Sequence, residues 1–213
     1  MSAPCRPASR LSTLNRALRR RLTAFGRARS GIAATEFALI VPIMLSMYFG
    51  MIELSQALGH GRKTTLLSRT LADLVTQSTG ITNTDMNTIF SASASVLAPF
   101  ETTNLAMRVT AISIDGAGTA RVDWSNVRNA GTAPAYAPLG RCSNANALVP
   151  LSLRSPRSSL VISDATVRHY PAIGTVLVPS GVTISETMPM RPRVSQSIIR
   201  EGVPTSPCPG AVP

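Results

Sequence analysis

Ser30-Gly31-Ile32-Ala33-Ala34-Thr35-Glu36-Phe37, running on through Ala38-Leu39-Ile40-Val41-Pro42 to Glu53, decides how this chain is read. Residues 37–52 carry no charge. At about 1.5 Å per residue that run falls a little short of the ~30 Å hydrocarbon core of a bilayer. Extending it to Ile32–Leu58 makes it long enough. The extension brings Glu36 inside the bilayer or to its edge. A carboxylate there costs roughly 2.5–3.5 kcal/mol on insertion scales, so it marks a functional position. Pro42 interrupts the helical hydrogen-bond ladder once, which membrane helices tolerate. Gly50 offers a small surface for close helix approach, without a GxxxG partner. Glu53 closes the apolar run as a charge at the helix exit.

Charge sets the orientation. The chain has 213 residues and a net charge of +11. Arg6, Arg10, Arg16, Arg19, Arg20, Arg21, Arg27 and Arg29 precede the span, with no acid among residues 1–30. Eight of the 21 bases lie in this arm, which leaves 13 against 10 acids, a net +3, for the rest of the chain. Arginines flanking a span stay in the cytoplasm. Past the span, Arg62, Lys63 and Arg69 are fewer and are partly offset by Asp73. The bias therefore puts the N-terminus inside and the segment after about residue 58 outside. Leu11, Leu14, Leu18, Leu22 and Phe25 recur every three to four residues, so the arm also suits a lipid-surface helix. A basic stripe permits nucleic-acid binding too, but no nucleic-acid-binding motif follows it. Its expected partner is anionic lipid, translocon or peptidase.

Gly31, then four residues, then Glu36-Phe37 resembles the processing site of type IV pilin-like proteins. The longer pattern through Pro42 to Phe49-Gly50-Met51-Ile52-Glu53 resembles the TadE-like family, minor pseudopilins of the tight adherence (Flp pilus) system. The resemblance covers residues 30–72 well and extends loosely to Trp124 and to Met190-Arg191-Pro192-Arg193. It implies that a prepilin peptidase cuts after Gly31, making Ile32 the new N-terminus and Glu36 the fifth residue. It also implies a carboxylate at Glu36 that meets a subunit's terminal amine, and partners among other minor pseudopilins, the major pilin and the assembly platform of the inner membrane. Glycine suits the scissile position because it lets catalytic groups approach the backbone closely.

Beyond the span, Leu67, Leu71 and Leu74 continue a helical period from Thr64 to Thr76, with Arg69 and Asp73 at i,i+4. Gly59 and Gly61 around His60 suggest a hinge, and Gln77-Ser78-Thr79-Gly80 a stop. Thr82 and Asp85 form a capping box before Met86, Ile89, Phe90 and Leu97, a second amphipathic helix ended by Pro99. Leu105–Ile114 and the alternating Ala120, Val122 and Trp124 make a hairpin across Asp115-Gly116-Ala117-Gly118. Residues 128–158 read as a long loop tethered by Cys142. Leu160–Tyr170 and Val182–Met190 are two more strands, joined by a turn-rich connection. The tail after Arg193 reads as irregular, and Trp124 as a core anchor.

The expected fold is α+β: a long N-terminal transmembrane helix, a second short helix and a small antiparallel sheet, a pilin-like order. The expected segments are a basic cytoplasmic leader 1–31, a transmembrane helix 32–58 and a periplasmic α+β domain 59–213. Cys5 sits in the arm, on the reducing side. Cys142 and Cys208 lie beyond the span and either pair, closing a long loop, or stay as free thiols; an oxidising periplasm favours the pair. His60 and His169 bring no nucleophile motif and, with three cysteines, no metal spacing. No phosphate-binding glycine loop is present. Neither an enzyme nor a cofactor is expected, nor a small-molecule substrate or nucleic acid. The rival readings are an uncleaved signal-anchored periplasmic protein and a secreted protein cut after Ala57 in Ser55-Gln56-Ala57.

Overall fold

A computed structural model describes residues 30–171, 179–206 and 208. The basic arm, with its leucine spacing and Cys5, lies outside the described residues, as do Gly174, Pro207, Pro209 and Pro213. The chain divides into two units, residues 1–50 and 51–213. The described elements are α1 (Ser30–Thr76), β1 (Gly80–Ile81), α2 (Asn83–Ser95), β2 (Leu105–Ile114), β3 (Ala120–Asn129), a 3₁₀ turn (Leu151–Leu153), β4 (Ser158–His169), β5 (Val182–Met190) and β6 (Ile199–Arg200). This is a mixed α+β fold: a long apolar helix, a short second helix and a four-stranded antiparallel sheet ordered β3-β2-β4-β5.

Within the second unit, α1 buries one stripe: His60, Thr64, Leu67, Ser68, Leu71, Ala72, Val75 and Thr76. Their spacing of three and four is the helical period. Half of these residues are small or hydroxylated, and their purpose is close approach. Ser68 donates to the Ser163 carbonyl on β4 at 3.0 Å, and Ser163 Oγ donates back to the Ser68 carbonyl at 2.6 Å. A leucine at 68 would hold the helix off the sheet. Thr64 returns its hydroxyl to the His60 carbonyl. α1 ends at Thr76, whose carbonyl accepts the Arg193 amide at 3.0 Å, satisfying one of the acceptors a helix end leaves free.

α2 begins as its sequence dictates. Thr82 Oγ1 accepts the Asp85 amide at 3.1 Å, and the Asp85 carboxylate accepts the Thr82 amide at 3.0 Å. Met86, Ile89 and Phe90 are buried with Leu67, Leu71 and Val75 from α1 and with Met107, Val109, Val161, Val167 and Trp124 from the sheet. A second cluster lies apart from this core: Ile112, Ile114, Ala120, Val122, Leu160 and Ile162 close over Ala145 and Val149.

A bulge explains why one strand serves both clusters. Ala111 pairs with Trp124 but Ile112 pairs with Val122, which leaves Asp123 as an extra residue. An inserted residue inverts the side-chain parity beyond it. Ala120 and Val122 therefore join the second cluster and Trp124 the first, although their spacing alone would put all three on one face. Trp124 Nε1 donates to the Ile198 carbonyl at 2.8 Å.

Four expectations need correction. Gly59 and Gly61 are not a hinge, because α1 runs through them. A Cβ at Gly59 would come within 3.2 Å of the Phe100 ring, so that glycine makes room for packing. Asp73 pairs with Arg193 at 2.9 Å rather than with Arg69. The 128–158 segment is no bare loop: Asn129 finishes β3, and Ala145 and Val149 are buried. The tail is not irregular throughout, since Ile199–Arg200 pair in parallel with Gly80–Ile81. Buried Arg200 fixes that junction by donating to Asn126 Oδ1 (2.9 Å), the Ile81 carbonyl (3.2 Å) and Asn83 Oδ1 (2.6 Å).

Candidate processing and assembly site

Gly31, Ile32, Glu36 and Phe37 all lie in the first two turns of α1 as described. Ile32 is 60 % exposed and Phe37 69 %. Glu36 is exposed, and a Cβ placed on Gly31 would meet nothing within 4 Å. Among the described residues of the first unit, none shields the Gly31–Ile32 bond. Exposed apolar residues continue along the helix as Leu39, Ile40, Ile43, Met44, Leu45, Met47, Tyr48 and Met51. Consecutive numbers step about 100° around a helix, so this apolar surface runs all the way round rather than forming a stripe. A stripe suits a protein core; a full apolar girdle suits lipid. Two hydroxyls inside the girdle are satisfied locally. Thr35 donates to the Ile32 carbonyl and Ser46 to the Ile43 carbonyl, each at 2.8 Å. α1 is the one helix among the described residues long and apolar enough to cross a membrane.

Residues 31–72 match the TadE-like protein family. The matched segment takes in Gly31, Glu36, Pro42 and Glu53, and also the stripe from His60 to Ala72 that α1 buries. No curated protein and no solved structure matches the chain. The TadE-like match points to a Tad pilus-related structural protein with an N-terminal helix suited to anchoring in a membrane.

The remaining sequence candidates lie in the second unit. Cys142 and Cys208 are joined by a disulfide with a Cα–Cα distance of 5.4 Å and a sequence separation of 66. The bridge ties the 128–158 segment to the end of the described chain. Cys142 sits at positive φ, and its amide donates to the Val122 carbonyl at 2.7 Å.

His60 and His169, distant in sequence, come together. Their rings lie 4.2 Å apart, and His60 stacks on Phe100 at 3.7 Å. Burial, reinforced by His169, lowers the His60 pKa to about 4. His169 is separated from Asp164 by an odd step along β4, so the two point to opposite faces. Asp164 instead pairs with Arg108 at 2.7 Å and accepts from Thr187 at 2.7 Å. No group of three or more His, Cys, Asp or Glu among the described residues is placed to hold a metal ion.

Sequence reading missed the histidine pair and the Arg108–Asp164 pair, because each joins residues from separate elements. Arg108 and Asp164 face one another in the β2–β4 register, with the Tyr136 ring 4.8 Å from the Arg108 guanidinium. Only the strand register could have revealed them.

Proposed function

We propose that the protein is a minor pseudopilin of the tight adherence system, processed after Gly31 by a prepilin peptidase and anchored in the bacterial inner membrane with its α+β domain in the periplasm. The observation that carries this reading is that residues 32–52 of α1 are apolar on all sides and hold one acid, Glu36, a turn beyond Ile32. The TadE-like match over the same residues supports it.

Local backbone preference favours the first cleavage site over the rival one after Ala57. A peptidase needs an extended backbone. Gly31 helps here, because glycine disfavours the helix by about 1 kcal/mol relative to alanine. Ala57–Leu58 lies deep inside α1, where unwinding breaks the ladder on both sides.

Cutting creates an ammonium at Ile32. Glu36 then stands near both that charge and the positive end of the helix dipole, each of which favours a carboxylate. A Glu36 left alone in hydrocarbon is costly, so pairing with the terminal amine of a neighbouring subunit drives helix docking. Glu36→Gln keeps the shape and removes the charge. Counting surface pili and adherent cells in a strain carrying Glu36→Gln tests the role: both fall sharply on this reading, and normal pili would rule it out.

A further inference from the structure

A cleft of about 570 Å³ opens in the second unit between the hairpin, the start of β4 and the segment after β5. Arg141, Arg157 and Arg191 line it, and all three are exposed. Each comes from a different wall: the segment beside Cys142, the turn before β4, and the end of β5. The hydrogen-bond acceptors of Arg141 and Arg191 are neutral, and Asp123 is the one acid that attracts Arg141 across the cleft. Arg141 donates to the carbonyls of Pro204 (3.2 Å) and Ser206, and Arg191 donates to Ser155 Oγ (2.7 Å). The ion pairs among the described residues involve Arg108 and Arg193, not these three.

Buried Arg200 adds a fourth positive charge, and Asp123 is the one carboxylate in the lining. Asp123 accepts from Ser113 at 2.8 Å and attracts Arg141; burial raises its pKa, opposed by both of these contacts. Glu201, beside Arg200, is turned to the Asn83 amide at 2.7 Å. The lining thus carries a net +3, equal to the whole net charge of the sequence after residue 30. The remaining charges of that sequence balance, so its excess sits in this cleft.

We propose that this cleft binds an extended acidic peptide segment of a partner protein, its spaced carboxylates meeting Arg141, Arg157 and Arg191. Guanidinium forks match carboxylates two bonds at a time. Three forks on three separate walls suit several charges strung along a chain better than one compact anion. The cleft belongs to the folded second unit, so its occupancy does not depend on processing at Gly31.

The test uses the full chain in neutral detergent and a rhodamine-labelled glutamate–glycine repeat peptide, followed by fluorescence anisotropy. Saturable binding that weakens with added salt is expected. Combined Arg141→Gln, Arg157→Gln and Arg191→Gln should weaken it roughly tenfold or more. Arg62→Gln with Arg69→Gln, exposed arginines outside the cleft, should leave it unchanged. Emission from Trp124 reports whether each variant is folded. If the triple variant is not, Arg157→Gln and Arg191→Gln are measured singly, and each should weaken binding about threefold. Unchanged affinity in these variants overturns the proposal. So does inorganic phosphate competing as well as the unlabelled peptide, which would make the cleft a pocket for a single anion.

Discussion

Removing the Cys142–Cys208 bridge is the perturbation whose size follows most directly from the structure. The bridge closes a loop spanning 66 positions. In the chain-entropy account, the cost it removes from the unfolded ensemble grows with the logarithm of loop length and comes to about 4 kcal/mol for a loop of this size. That is a large share of the ~5–15 kcal/mol that holds a domain together. The loss should fall on the second cluster and on the segment after Arg200, because Cys208 is buried and its partner lies beside Ala145 and Val149. Trp124 is the only tryptophan and is buried, so its fluorescence follows unfolding of the domain without a label. The assay is guanidinium unfolding of the full chain in neutral detergent, comparing wild type with Cys142→Ser/Cys208→Ser. With a denaturant slope of about 4 kcal/mol/M, the midpoint should fall by about 1 M. Reducing the wild type should give the same shift, and Cys5→Ser should give none. A midpoint that moves by less than about 0.2 M in both the variant and the reduced protein would refute the loop-entropy reasoning for this domain.

Three further outcomes are expected. Ser68→Leu should destabilise the domain by about 2–4 kcal/mol in thermal unfolding, through overpacking and loss of the Ser68–Ser163 bonds, whereas exposed Arg69→Leu should stay within about 0.5 kcal/mol. The Arg108 and Asp164 side chains are only 14 % and 7 % exposed, so Asp164→Asn strands a buried cation and should cost about 3–5 kcal/mol. In the Arg193–Asp73 pair they are 59 % and 33 % exposed, and Asp73→Asn should cost under about 1 kcal/mol by the same measurement. His60 titrates near 4 when folded against 6.5 when unfolded, so between those values the unfolded chain binds the extra proton. The contribution of His60 is complete above about pH 6.5 and is lost as pH falls through about 4. Solvent screening holds it to about 1–2 kcal/mol, and His60→Phe should flatten that part of the pH–stability curve.

Much of the fold was legible because its signals are local. The apolar run, the Thr82–Asp85 box, the Asp115–Gly118 turn and the β-branched runs of β2 and β4 each sit within a few residues of one another. What escaped reading depends on partners. The Thr64, Ser68, Ala72 and Thr76 stripe carries no hydrophobic period, because its task is to bring a helix backbone against β4. Strand alternation placed Ala120, Val122 and Trp124 together, and only the pairing of β3 with β2 exposes the bulge that separates them. The β1–β6 pairing is two residues long, too short for any periodic signal. At the candidate site the situation is reversed. Gly31, Ile32, Glu36 and Phe37 were named from the resemblance of their motif to the TadE-like family, and the structure adds that they are helical and that Ile32, Glu36 and Phe37 are exposed.

In the proposed function a peptidase removes the arginine-rich head and leaves a terminal amine one helical turn from Glu36. Mass spectrometry of the N-terminal peptide, from protein purified out of its native membrane, tests this most directly. A mature chain that begins at Ile32 is expected. Peptides that still join Ser30 to Ile32 with no trimmed form present, or a chain that begins at Leu58, would contradict it.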